Sequence, residues 1–249
     1  MRGGFPELAG VIERRLLVNY RVDPAVVAKV LPAPLRPQLV GDWAVAGICL
    51  IRLGRLRPRG LPRWVGLRSE NAAHRVAVEW DGPRGRETAV YIPRRDTGST
   101  LNALVGGRLF PGDHERARFR VRETADDLQV AFASRDSATK VHVDVRRTTR
   151  WPGSELFTDL AQASEFFRRG SAGYSATRGG TELAGLELRT DAWHVEPVEV
   201  AAVRSTFFDD ANVFPPGSAQ LDCALLMRDV PVTWHPLAPL PLAARGPHR

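Results

Sequence analysis

Three successive segments of this chain alternate apolar and polar residues with a period of two. They are residues 115–122, 128–133 and 140–145, and in the last Val141, Val143 and Val145 alternate with Lys140, His142 and Asp144. A period of two puts the apolar set on one face of a strand, so a chain built this way must bury one face of a sheet. Further strands are predicted over residues 15–22, 183–188, 195–207 and 220–227. Residues 43–53 are continuously apolar, as a strand covered on both faces would be. Residues 75–80 and 88–92 are predicted to pair across Asp81-Gly82-Pro83.

Helices are fewer. Asp23 caps a predicted helix that has Pro24 in its first turn, runs to Leu31 and is stopped by Pro32 and Pro34. Residues 97–109 form a second predicted helix. Ser154 caps a third, through Leu156, Leu160, Ala163, Phe166 and Phe167, which share one helical face. Residues 54–66 read as a loop rich in Arg, Gly and Pro, and the Pro-rich tail 236–249 as a surface strap or frayed end. With no linker, composition shift or repeat, residues 1–249 are expected to form one domain. The expected class is α+β, mostly β: a curved or closed antiparallel β-barrel with a central cavity and a few flanking helices.

At 43% hydrophobic residues the chain can fill a substantial core. No apolar run reaches roughly the 18 residues of a membrane span, and the first residues lack the apolar stretch of a secretory signal. Cys49 and Cys223 lie in apolar runs and read as buried thiols, so a reducing, cytoplasmic setting is expected. The net charge is +7, yet the arginines are dispersed and no aromatic residues interleave with them. That pattern does not support nucleic-acid binding, whereas a carboxylate ligand uses arginine well. No nucleophile elbow, phosphate loop, dinucleotide fingerprint or CxxC motif occurs.

Val18-Asn19-Tyr20-Arg21-Val22-Asp23, then Lys29-Val30-Leu31-Pro32-Ala33-Pro34-Leu35, resembles the opening of the acetoacetate decarboxylase-like superfamily. Gly41-Asp42-Trp43-Ala44-Val45, Arg57-Pro58-Arg59-Gly60-Leu61-Pro62, Glu70, Gly106-Gly107-Arg108 and His114 follow in the order seen in its YqjF-like bacterial members. The resemblance is carried mainly by the first half of the chain. It implies a cone-shaped barrel with a central cavity. Decarboxylases of the superfamily use an imine-forming lysine within Tyr-Pro-Lys-Lys, its neighbour lowering its pKa. An ungapped reading puts Glu115 and Arg116 at that lysine pair, and neither can form an imine. Only Lys29 and Lys140 are lysines. The family's acidic cavity residue has its counterpart in Glu70.

Each candidate has an ordinary reading beside the functional one. Glu70 is either an exposed acid or a cavity base. Arg108 either complements a helix dipole or clamps a carboxylate or enolate oxygen. His114 either begins a surface strand or acts as acid–base. Tyr91 is either a core-edge aromatic or a substrate contact. Lys140 and His142 lie either on a solvated face or on a polar barrel interior, where Lys140 would be a displaced amine and His142 and Asp144 an acid–base pair. Glu115, Arg116, Tyr91, Lys140 and His142 are the candidate substrate-binding residues, with Glu70, Arg108 and His114 as catalytic base, clamp and acid. No metal and no cofactor is expected. The expectation is a tailoring enzyme of lyase, dehydratase or cyclase type acting on a carbonyl- or carboxylate-bearing small molecule without an imine. The alternative is a non-catalytic ligand-binding barrel. The expected partner is thus a small molecule, with no nucleic acid or membrane; homo-oligomerisation stays open.

Overall fold

The computed structural model describes residues 6–83, 85–99, 110–112, 114–177 and 180–242. Its strands are β1 (Leu8–Val22), β2 (Arg36–Pro37), β3 (Leu39–Val40), β4 (Trp43–Pro58), β5 (Leu67–Gly82), β6 (Gly85–Thr97), β7 (His114–Glu123), β8 (Asp127–Ser134), β9 (Lys140–Arg147), β10 (Ala172–Ala176), β11 (Glu182–Arg189), β12 (Glu196–Ser205) and β13 (Ala219–Pro241). Among the described residues the helices are α1 (Pro24–Ala28) and α2 (Leu160–Arg169), with a 3-10 turn at Arg63–Val65.

All the strands join one sheet, whose pairings close on themselves. A larger ring runs β6-β7-β8-β9-β12-β13-β1-β4-β5 and back to β6. A smaller ring shares β13, β1, β4, β5 and β6 and closes through β11 and β10. Only β6–β7 and β6–β10 are parallel; the other pairs are antiparallel. The fold is therefore the mostly-β, ring-closed type that the alternation predicts.

The shared strands have a core on each side. On β1, Leu16, Val18 and Tyr20 enter the larger ring's core while Leu17 enters the smaller one's. On β5, Ala72, Val76 and Val78 face the larger core, and Ala73 and Ala77 the smaller. Double burial is why these strands read as apolar runs instead of alternating. β7, β8 and β9 serve only the larger core, through Phe119, Val130 and Val143 for example, so they keep a clean alternation. Lys140 is exposed and His142 is 42% exposed, its Nε2 3.0 Å from Asp144 Oδ2, so both lie on the solvated outer face of β9.

Several boundaries differ from the sequence expectation. Asp23 does cap α1, its Oδ1 accepting from Ala25 N (2.8 Å) and Val26 N (3.4 Å), but α1 ends at Ala28. Pro32 bars a helical conformation at Leu31, so the last turn unwinds before it. Ser154 does not start α2; its Oγ caps a turn by accepting from Leu156 N and Phe157 N, and the helix begins after Asp159, which accepts from Gln162 N. Residues 54–58 continue β4 instead of looping out. The Pro-rich segment is no frayed tail as far as Pro241: it extends β13 and pairs with β11. Thr97 closes β6 and Gly98 and Ser99 follow it outside any helix; residues 100–109 of the expected helix lie outside the described residues.

Candidate functional site

The smaller ring encloses a cavity of about 130 Å3. Ile92, Leu188 and Trp234 give it apolar walls, and Arg15, Arg75, Arg95 and His114 reach it as charged or titratable groups. Register brings the arginines together. Arg75 pairs with Gly47 and Arg15 with Ile51, four residues apart along β4, while Arg95 lies opposite Ala73, midway between them on β5. A register shift between β5 and β6 inserts an extra residue between Tyr91 and Arg94, which turns Arg95 to the face of Ile92 and Arg94 away from it.

None of the three guanidiniums pairs with a carboxylate of a described residue. Arg75, 3% exposed, donates to Asn19 Oδ1 and lies 4.7 Å over the Phe167 ring. Arg15 donates from Nε to Cys49 Sγ at 3.4 Å. Nε of Arg75 and Nε of Arg95 are buried without an acceptor among the described residues. Burial pushes both guanidiniums down to about 10, with the charge of Arg15 adding to the effect at Arg75; at neutral pH both remain protonated. The acid on the cavity wall, Asp96, is turned toward Arg94, which holds it at 3.0 and 3.2 Å. Burial raises the Asp96 carboxyl above the ordinary range, although Arg94 pulls the other way.

His114 Nδ1 lies 3.1 Å from the Gly112 carbonyl oxygen. A carbonyl oxygen only accepts, so Nδ1 is the donor in that contact.

The remaining sequence candidates among the described residues lie elsewhere. Glu70 is on the opposite face of β5 from Asn71 and does not reach the cavity with His114. It accepts from Arg14 Nη2 at 2.6 Å and Arg52 Nε at 2.5 Å. Glu123 reaches across the larger ring from β7 to Arg14 (3.2 Å), Arg52 (3.4 Å) and Arg228 (2.9 Å). Glu70 thus belongs to an ionic cluster in the larger ring, built around an Arg14 only 1% exposed. Tyr91 packs in the larger ring's core, where burial raises its phenol. Glu115 and Arg116 sit on β7 beside Asp96 and Thr97 and are not on the cavity wall. Arg108 lies outside the described residues. Both lysines are exposed. A second, more open depression carries Arg55, Arg63 and Arg189, all exposed and hence screened by water.

The sequence reading missed Arg15, Arg75 and Arg95. Arg95 carried a signal: Tyr91-Ile92-Pro93-Arg94-Arg95 is similar to the superfamily's Tyr-Pro-Lys-Lys, with one residue inserted and both lysines replaced by arginine. That placement fits better than Glu115-Arg116, because Arg95 faces the cavity and the other pair does not.

Ring topology and cavity define an acetoacetate decarboxylase-like fold. Acetoacetate decarboxylase from Legionella pneumophila subsp. pneumophila str. Philadelphia 1 superposes with a TM-score of 0.63 at 10% identity, over 96% of this chain and 88% of that one. An acetoacetate decarboxylase-like enzyme from Sphingomonas wittichii RW1 gives 0.60 at 12%, over 97% and 94%. The enduracididine biosynthesis enzyme MppR, complexed with the condensation product of pyruvate and imidazole 4-carboxaldehyde, gives 0.57 at 13%, over 94% and 88%. No curated protein sequence matches the chain. Within this fold the chain belongs to DUF2071, the uncharacterized conserved protein family COG2071, whose model matches residues 11–230. Among the described residues no helix is long and apolar enough to cross a membrane, and no three His, Cys, Asp or Glu side chains gather as a metal site would need.

Proposed function

We propose that the cavity of the smaller ring is the substrate site of an enzyme acting on a carbonyl- or carboxylate-bearing small molecule by acid–base and electrostatic catalysis, without an imine. The observation that carries this reading is Arg95. Read with one inserted residue, Tyr91-Ile92-Pro93-Arg94-Arg95 puts it at the imine lysine's place; it faces the cavity and has a buried Nε with no acceptor among the described residues. A guanidinium cannot form a Schiff base at neutral pH, but it can hold a carboxylate or stabilise a developing enolate oxygen. His114 is the residue to move a proton at the substrate carbon or oxygen. Lyase, dehydratase and cyclase steps that form a carbanion beside a carbonyl pass through such an enolate. Structural neighbours that are enzymes support the enzymatic reading. So does the gathering of arginine and histidine side chains on one small cavity.

Borohydride trapping with pyruvate or acetoacetate, read by intact-mass spectrometry, tests this. The wild-type chain should keep its unmodified mass. Arg95→Lys should gain one adduct, because an amine there lies in a buried setting beside Arg75 and Arg15, which favour the free base. An adduct on the wild-type chain overturns the imine-free mechanism. No adduct on either chain contradicts the assignment of Arg95 to the imine position.

A further inference from the structure

We propose that the ligand of this cavity is a compact dicarboxylate, with three to five carbons, rather than a monocarboxylate or a phosphate. The inference rests on the cavity being the substrate site and specifies the substrate class.

Charge comes first. Outside the cavity the buried Arg14 is answered by Glu70 and Glu123, and the part-buried Arg94 by Asp96 and Asp136. Inside it, Arg15, Arg75 and Arg95 meet an amide oxygen, two sulfur atoms and an aromatic face, and no carboxylate of a described residue. Asp96 does not change this, since its two hydrogen bonds are to Arg94. Three cations gathered in a poorly solvated space repel one another, and the cost of desolvating each is several kcal/mol. A monoanion answers one of the three, whereas a dianion answers two and leaves the third to polarise a substrate oxygen.

The lining then separates dicarboxylate from phosphate. The backbone positions of Arg15 and Arg75 lie four residues apart along β5, with Arg95 between them, and all three side chains reach the same cavity. A guanidinium fork suits a carboxylate. Inorganic phosphate has no apolar part to cover the rest of the wall. Ile92, Leu188 and Trp234 supply apolar surface for the carbon chain between the two groups. A cavity of about 130 Å3 admits only a short chain.

Isothermal titration of the full chain at fixed ionic strength tests the inference. The probes are malonate, succinate and glutarate, each against acetate and butyrate, with inorganic phosphate as a further arm. At least one dicarboxylate should bind about tenfold or more tighter than either monocarboxylate and than phosphate. Arg95→Gln should weaken that binding by about tenfold or more, while Arg59→Gln, an exposed arginine paired with Glu7, should leave it unchanged. Arg75→Gln should behave as Arg95→Gln does; Arg95 is less buried, so its variant is the one to rely on if Arg75→Gln does not fold. Monocarboxylates that bind as tightly as dicarboxylates, with both sensitive to Arg95, would overturn the dicarboxylate and leave the substrate site standing. Tightest binding by phosphate would do the same. If no probe's binding depends on Arg95, the dicarboxylate and the substrate site fail together.

Discussion

Lowering the pH from 7 to 4.5 should destabilise the wild-type protein by roughly 2–3 kcal/mol more than it destabilises His74→Leu. His74 is fully buried on β5, its ring 4.6 Å from that of Phe207 and 6.2 Å from that of Phe208. Neither ring nitrogen has a hydrogen-bond partner among the described residues. Burial, with the nearby Arg94 charge adding to it, pushes the imidazole down to about 3. The folded state therefore resists protonation. His74 costs no pH-dependent stability above the ordinary value near 6.5, and stability falls as the pH drops from there toward 3, because the unfolded chain takes up the proton first. Denaturant titrations at pH 7, 6, 5 and 4.5 should show the two chains diverging as the pH falls. At pH 7 the variant should be at least as stable as the wild type, since leucine removes a buried polar ring that makes no hydrogen bond. Parallel pH curves would refute the prediction.

Glu70→Gln should cost about 3 kcal/mol of stability and leave ligand binding in the arginine cavity unchanged. The carboxylate of Glu70 answers Arg14 and Arg52 together, and Arg14 has almost no access to water. Removing the charge leaves Arg14 with Glu123 alone and leaves the cluster of Arg14, Arg52 and Arg228 short of one acid. Replacing both partners, as Arg14→Met with Glu70→Leu, should recover much of the loss, because the buried cation is then gone. Urea denaturation measures the stability and titration calorimetry the binding. A fully stable Glu70→Gln that loses ligand binding would return Glu70 to the catalytic role its family position suggests.

How much of the fold was legible follows from how many cores each strand serves. β7, β8 and β9 serve one core, so Val141, Val143 and Val145 announce a strand and its inner face at once. β13 was read only to Met227, because it then changes neighbours from β12 to β11 and because prolines interrupt its outer half. The site was less legible for the same reason. Glu70 and Asn71 are adjacent in sequence but face different rings, so a family position can identify a residue without saying which core it enters. Arg15 and Arg75 look like solvated strand residues in an arginine-rich chain, and only the register of β1, β4 and β5 places them on one cavity. His114 was nameable from its place among the family segments. Arg95 was nameable from Tyr91-Ile92-Pro93-Arg94-Arg95, but the inserted residue hid it from an ungapped reading.

The most direct test of the arginine cavity as the functional site is a crystal structure grown with succinate. The account predicts the ligand inside the smaller ring between Ile92 and Trp234, with carboxylate oxygens about 2.7–2.9 Å from the guanidinium nitrogens of Arg75 and Arg95. Succinate bound instead in the exposed depression at Arg55, Arg63 and Arg189, with the cavity left empty, would contradict it.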